Sequence, residues 1–222
     1  MCGRFSIAHD REALERRFNA RFAVGAAPTP RYNAAPAQEL PVILSTDPRR
    51  IEMAGWGLVP PRLRRLSGRE RLINVKAETL AEKRTFREDL EKRRCLVLAD
   101  GFYEWKRLPH GRKVPYRFVL KNNRPFAFAG IWEGNDDAGT DARTFVIITT
   151  EPNELVAGIH DRMPAILSEE GETIWLNTRA PASEALKLLG PYPADKMRCY
   201  RVSDLLNRAA YDAQALILPC PP

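Results

Sequence analysis

The sequence predicts an α+β fold, on three observations. Short apolar runs of strand spacing are mixed irregularly with stretches of helix spacing, unlike the regular βαβ order of a parallel array. No internal repeat, low-complexity tract or linker interrupts the chain. Its 222 residues suffice for one well-filled core. A single domain over 1–222 is expected, with a weakly specified tail from about residue 212.

Asp10 is placed to cap a helix running to about Asn19, with Leu14 and Phe18 four apart on one face and Arg11, Glu12, Arg16 and Arg17 elsewhere. The Ala- and Pro-rich stretch 23–36 closes on Arg31-Tyr32-Asn33-Ala34-Ala35-Pro36 and reads as an irregular loop presenting polar groups, because proline removes a donor and blocks helix. Pro41–Leu44 and Ile51–Ala54 read as a hairpin of strands, ended by Trp56-Gly57-Leu58-Val59-Pro60-Pro61. Arg62, Arg64, Arg65, Arg69 and Arg71 follow, a basic run that is either a solvated loop or a phosphate contact.

Ile73–Glu78 leads into a helical stretch to about Arg94, broken near Thr85 and anchored by Leu80, Phe86 and Leu90. Leu96–Ala99 has the composition of a buried strand and passes into Asp100-Gly101-Phe102-Tyr103-Glu104-Trp105-Lys106. In an extended chain the period of two puts Glu104 on the face opposite Tyr103 and Trp105. A carboxylate there is either solvated and structural, or desolvated with a raised pKa suited to proton transfer. Three more strands are expected at Tyr116–Leu120, Pro125–Gly130 and Thr144–Thr150, then a helix near Asn153–Ala157, two helices between Ser168 and Leu189, and a last strand at Cys199–Val202.

The formal net charge of +7 favours an acidic partner, of which nucleic acid is the commonest. Cys2, Cys95, Cys199 and Cys220 have spacings that match neither a disulfide framework nor a zinc site, so a reducing compartment, no metal and no cofactor are expected. No stretch approaches the ~20 apolar residues of a membrane span, and Met1-Cys2-Gly3-Arg4-Phe5-Ser6 opens no signal peptide; a cytoplasmic protein is expected.

Chemistry concentrates in four places. Methionine before a small residue is normally trimmed, which would leave Cys2 with a free α-amine and a thiol on adjacent carbons. Such an aminothiol condenses with an aldehyde to an imine, and the thiol then closes a five-membered thiazolidine. The other reading is a start codon followed by an ordinary cysteine. Asn74 precedes a helix, Glu104 lies among aromatics, and His160, one of three histidines with His9 and His110, adjoins Asp161 and Arg162. Together they could supply a nucleophile, an orienting amide, an acid/base and a second proton donor.

Met1-Cys2-Gly3-Arg4-Phe5, Arg31–Pro36, Trp56–Pro60, Ile73–Thr79, Asp100–Trp105 and His160-Asp161-Arg162-Met163-Pro164 together resemble the SOS-response-associated peptidase (SRAP) family of abasic-site processing proteins, in family order from residue 1 to about 167. The resemblance implies a mixed, mainly antiparallel, barrel-like sheet flanked by helices. It implies a thiazolidine cross-link between Cys2 and the ring-opened deoxyribose of an abasic site in single-stranded DNA or at its junction with duplex. Asn74 would orient the sugar, Glu104 exchange protons with the amine and its adducts, and His160 help open the sugar ring. Self-removal of Met1, a lyase activity, a monomer, and association with the nucleoid when bound to DNA are implied as well.

The family pattern further implies DNA contacts at Arg4, Asn33, Pro36, Lys76, Arg84, Trp105, Thr149 and Arg162, with cations on phosphates and aromatic or apolar groups on bases. Two positions depart from it. Lys76 stands where arginine is common, which makes a phosphate contact a point charge instead of a bidentate one. Pro61-Arg62-Leu63 stands where a tryptophan is common, so Leu63 is the wedge or none exists, and junction preference stays open. Two other readings stay open as well. One is an N-terminal-nucleophile peptidase acting on proteins, for which no peptide groove or oxyanion hole is visible in the sequence. The other is a non-catalytic binder of single-stranded nucleic acid, in which Cys2 and Glu104 would be dispensable.

Overall fold

The computed structural model describes residues 2–26, 30–58, 71–80, 82, 84–134 and 143–220, without the side chains of Arg84 and Thr85. Met1, the basic run Arg62–Arg69 with Leu63, and the Arg84 side chain therefore lie outside the described residues. In chain order the elements are β1 (Phe5–Ile7), α1 (Arg11–Phe18), β2 (Arg21–Phe22), β3 (Arg31–Ala34), β4 (Glu39–Leu44), β5 (Arg50–Trp56), β6 (Asn74–Lys76), α2 (Ala77–Leu80) and α3 (Arg84–Lys92). They continue with β7 (Arg94–Ala99), β8 (Gly101–Arg107), β9 (Lys113–Leu120), β10 (Phe126–Glu133), β11 (Thr144–Thr150), α4 (Glu154–Ala157), β12 (Met163–Pro164), β13 (Ile166–Leu167), α5 (Glu169–Leu176), α6 (Ala182–Leu186) and β14 (Met197–Arg201).

Local chemistry explains the clearest of these. Asp10 accepts the Ala13 N–H at 2.8 Å to start α1, and Asn19 ends it in the left-handed conformation at φ 47°. β4 and β5 form the expected hairpin, and β4, β7, β10 and β11 follow as antiparallel neighbours. The ring closes where β11 returns to β5 in parallel, with Thr144 opposite Gly55 and Phe145 opposite Trp56. The expected mixed, mainly antiparallel barrel is thus present. β6 continues the β5 edge of β11, also in parallel, and β12 continues the β10 edge.

A second, five-stranded sheet in the order β14-β9-β8-β1-β3 packs on the first. Alternate barrel residues such as Val42, Val97, Phe128 and Ile147 meet Phe5, Phe102 and Phe118 of that sheet. The intervening Ile43, Leu96, Ala129 and Val146 meet Leu14, Phe86, Leu90 and Trp175 of the helices. Both faces of β7 are consequently buried, which is why Cys95–Ala99 is apolar without alternation. Each fully buried Leu, Ile, Val or Phe contributes about 1.5–3 kcal/mol relative to exposure.

Three expectations shift. Arg31–Ala34 is not an irregular loop but edge strand β3, antiparallel to β1 with Phe5 opposite Ala34; its prolines flank the strand and leave its interior donors intact. The helical stretch breaks between Leu80 and Arg84, and Thr85 lies inside α3. The segment from 212 packs closely: Leu216 is buried with Tyr103, Val202 and Leu206, and Asp212 accepts the N–H groups of Tyr32 and Asn33 at 2.7 and 3.0 Å.

The strand that carries the N-terminal segment is pinned from behind. Asp100 accepts from Ser6 Oγ at 2.6 Å and from Arg117 Nη2 at 2.8 Å, and its other oxygen meets the Ala8 N–H and His9. Gly101 makes room for this, since a Cβ there would meet Arg117 Nε at 2.7 Å. Burial works to raise the Asp100 pKa, but His9, Arg117, Ser6 and the Ala8 N–H together hold it below the ordinary carboxylate range.

Candidate active site

The segment preceding β1 runs between the two sheets, and Cys2 is fully buried there. Asn74, first residue of β6, reaches from the barrel side and donates Nδ2–H to the Cys2 carbonyl at 2.8 Å. β8 lies beside β1, with Phe102 opposite Phe5 and the Tyr103 N–H donating to the Arg4 carbonyl at 3.0 Å. Two residues beyond Phe102 on the same strand face, Glu104 is buried, while Tyr103 joins the separate cluster with Val202 and Leu216.

His160 arrives from the loop after α4. That one-turn helix is set by Asn153, whose Oδ1 accepts the Val156 N–H at 3.0 Å while its Nδ2 donates to the Tyr192 carbonyl at 2.6 Å. The His160 N–H then bonds the Val156 carbonyl at 2.9 Å. Its Nε2 lies 3.8 Å from Glu104 Oε2, near but beyond hydrogen-bond length. All four expected site residues, Cys2, Asn74, Glu104 and His160, are thereby brought together from four separate parts of the chain.

Electrostatics gives each a defined resting form. Burial, assisted by the negative charge of Asp161, pushes Glu104 up to about 7. Burial and then the Glu104 charge push the Cys2 thiol far up, so it rests protonated at neutral pH. Burial lowers His160. Its Nδ1 has two neighbours with opposite demands, the Arg162 N–H at 3.0 Å and Asp161 Oδ1 at 3.0 Å. The backbone donor is fixed and the Asp161 side chain is 90% exposed, so Nδ1 is assigned as acceptor and the neutral ring carries its proton on Nε2, towards Glu104. Asn74 Oδ1 is buried without a hydrogen-bond partner among the described residues, which leaves one acceptor inside the site.

The expected DNA contacts separate into groups. Arg4 donates to Asn33 Oδ1 at 2.6 Å and to the Leu206 carbonyl at 3.1 Å, and no carboxylate among the described residues offsets its charge. Lys76 is exposed on β6, and Pro36 and Trp105 are half-buried. Arg162 is engaged bidentately by Glu78 at 2.7 and 2.9 Å and also donates to the Thr149 carbonyl at 2.7 Å. Asn33 and Thr149 are buried: Asn33 Nδ2 is committed to the carbonyls of Arg208 and Tyr211, and Thr149 Oγ1 to that of Val75. They shape the surface from below.

Sequence reasoning missed Glu78 as the partner of Arg162, although it lies within a segment that resembled the family. It also missed the whole 204–212 region, which carries no motif. Among the described residues no group of three or more His, Cys, Asp or Glu side chains converges as a metal site, and no helix is long and apolar enough to cross a membrane.

Comparison with known proteins places the chain in a family. Residues 1–209 match the model of the SOS response associated peptidase (SRAP) family. The chain is 42% identical over 221 residues to the abasic site processing protein YoqW of Bacillus subtilis, covering 98% of this chain and 99% of that one. It is 27% identical to the abasic site processing protein YedK of Escherichia coli, over 99% of this chain and 100% of that one. A crystal structure of a protein from Bacteroides thetaiotaomicron superposes with a TM-score of 0.85 at 27% identity, covering 99% of this chain and 100% of that one.

Proposed function

Because the chain belongs to the SOS response associated peptidase family, we propose that it processes abasic sites in DNA by capturing the ring-opened deoxyribose aldehyde on Cys2. The observation that carries this reading is the convergence on buried Cys2 of a clamping amide, a carboxyl poised near neutrality and a neutral imidazole. A structural cysteine needs none of the three.

The steps balance without an oxidant or a cofactor. Removal of Met1, by the protein itself or by an aminopeptidase, hydrolyses one amide and frees the Cys2 amine. In the closed sugar, ionised Glu104 takes the proton of the C1′ hydroxyl as the C1′–O bond breaks to give the aldehyde; neutral His160 Nε2–H donates a hydrogen bond to the departing ring oxygen, which takes its proton from solvent. The neutral amine adds to C1′, protonated Glu104 hands a proton to the departing hydroxyl, and water leaves an imine. Glu104, now ionised, accepts the Sγ proton; sulfur bonds C1′, and the imine π pair moves to nitrogen, which is protonated. Aldehyde and aminothiol become thiazolidine and water.

A carboxyl that titrates near pH 7 serves this sequence throughout, because it must both take and give protons. The imine also acidifies the C2′ hydrogens, so β-elimination of the 3′ phosphate, a lyase outcome, competes until the thiol closes the ring. Single-stranded DNA is the proposed substrate: Arg4 and Lys76 hold phosphates and Trp105 stacks on a base. The protein acts as a cytoplasmic monomer in this reading.

The test mixes pure protein with single-stranded DNA bearing one abasic site and resolves the products on a denaturing gel. A shifted band is expected with native protein and none with Cys2→Ala or with a tetrahydrofuran analogue that lacks the aldehyde. A band surviving either change overturns the thiazolidine mechanism. Intact mass decides whether Met1 has been removed.

A further inference from the structure

Residues 204–212 form a strap against the site edge, held there by side chains of the five-stranded sheet. Leu206 is buried beside Tyr103, and its carbonyl accepts from Arg4 Nη1 at 3.1 Å. Asn33 Nδ2 gathers the carbonyls of Arg208 and Tyr211 at 3.1 and 2.8 Å. Asn207 Oδ1 accepts the indole N–H of Trp105 at 2.8 Å. Anchored so thoroughly from within, the strap still turns large groups outward: Leu205 is 39% and Tyr211 37% exposed, and Arg208 is exposed too. Its two acidic residues are engaged, Asp204 with Arg112 at 3.6 Å and Asp212 with Arg31 at 3.3 Å, whereas Arg208 has no ion-pair partner among the described residues.

We infer that this strap is part of the nucleic-acid surface, with Asn207 positioning Trp105 to stack on a base and Arg208 supplying a phosphate contact to single-stranded DNA beside the lesion. The inference rests on the reading of the site as one for DNA lesions. A hydrogen bond at the edge of the indole and packing against the Leu206 cluster fix the ring, while its half-exposed remainder stays open to a base, which is what a stacking platform requires. Arg208 follows by two residues the carbonyl that holds Arg4, which puts an exposed cation on the same strap that Arg4 anchors. Polyanion recognition is favoured over a protein partner because the strap presents cationic and aromatic groups together, with its carboxylates already neutralised.

The test uses the full chain and a fluorescent oligothymidylate without any lesion, with anisotropy followed across a salt series. Asn207→Leu should weaken binding three- to tenfold at unchanged salt slope, and the same change in a Trp105→Leu background should cost nothing further. Arg208→Ala should weaken binding and lower the salt slope by about 1. Native-like binding by both single variants would overturn the strap's role, and an undiminished Asn207→Leu loss without Trp105 would overturn the positioning. Should Asn207→Leu fail to fold, Arg208→Ala, which removes an exposed side chain, decides alone. Undamaged DNA keeps this test apart from Cys2 chemistry: binding losses without any cross-link to abasic DNA would fail the thiazolidine reading and leave the strap standing.

Discussion

Asn74 donates to the carbonyl of Cys2 at 2.8 Å, so a side chain of the barrel holds the backbone that leads into the other sheet. Asn74→Ala orphans that buried carbonyl, at a cost of about 1–3 kcal/mol. Thermal unfolding should show the loss. The cross-linking rate should fall by at least about tenfold, because the amine no longer starts from a fixed position. A lowered melting temperature with an unchanged rate would confine Asn74 to a role in the fold.

Glu104 is held near pH 7 by burial, above its value in an unfolded chain, and the sign of the linkage follows. A raised carboxyl stabilises the fold below the unfolded value near 4.3 and loses that contribution as pH rises through the folded value. The native protein should therefore lose roughly 3 kcal/mol between about pH 4 and pH 8 from this group, a loss that Glu104→Gln should not show. Denaturant melts at the two pH values measure it. The cross-linking rate of the native protein should pass through a maximum near neutrality, and Glu104→Gln should flatten that profile.

Asp100 behaves in the opposite sense. Its pKa is depressed, so its contribution is present above the ordinary carboxylate range and is lost as pH falls through the folded value. Asp100→Asn leaves Arg117 buried without its countercharge and should cost about 3–5 kcal/mol at pH 7. The gap between native and variant, read by chemical unfolding, should narrow as pH is lowered. A constant gap would mean that the network is held by shape instead of charge.

Under the proposed reading of Arg162 as a phosphate contact, its bidentate partner Glu78 competes with DNA for it. Glu78→Gln should raise affinity for single-stranded DNA a few-fold and steepen its salt dependence by up to about 1, with little change in stability, since the Glu78 side chain is 49% exposed. Anisotropy titrations in low and moderate salt test this. Weaker binding would instead make Glu78 the residue that aims Arg162.

How much was legible beforehand depended on whether the signal is local. The α1 cap at Asp10, the β4–β5 hairpin and the apolar run of β7 follow from neighbouring residues, and all three are present. Cys2, Asn74, Glu104 and His160 were nameable from their own chemistry, but their separate roles came from segments that resembled a family; their spacing along the chain contains no hint that they converge. β3 was hidden because its strand order depends on β1, far away in sequence, while its own residues look like a proline-bounded loop. The strap was invisible for a related reason: Leu206 and Asn207 act through a backbone carbonyl and a surface amide, and neither leaves a pattern.

The carboxylate of Asp212 has a consequence for solubility. β3 is the last strand of its sheet, and such a strand invites pairing with another chain through its unbonded N–H groups. Asp212 occupies those of Tyr32 and Asn33 with one oxygen while its other oxygen pairs with Arg31 at 3.3 Å, which sets a charged pair along the edge. A single acidic side chain, far from β3 in sequence, thus works as a gatekeeper against edge-to-edge aggregation.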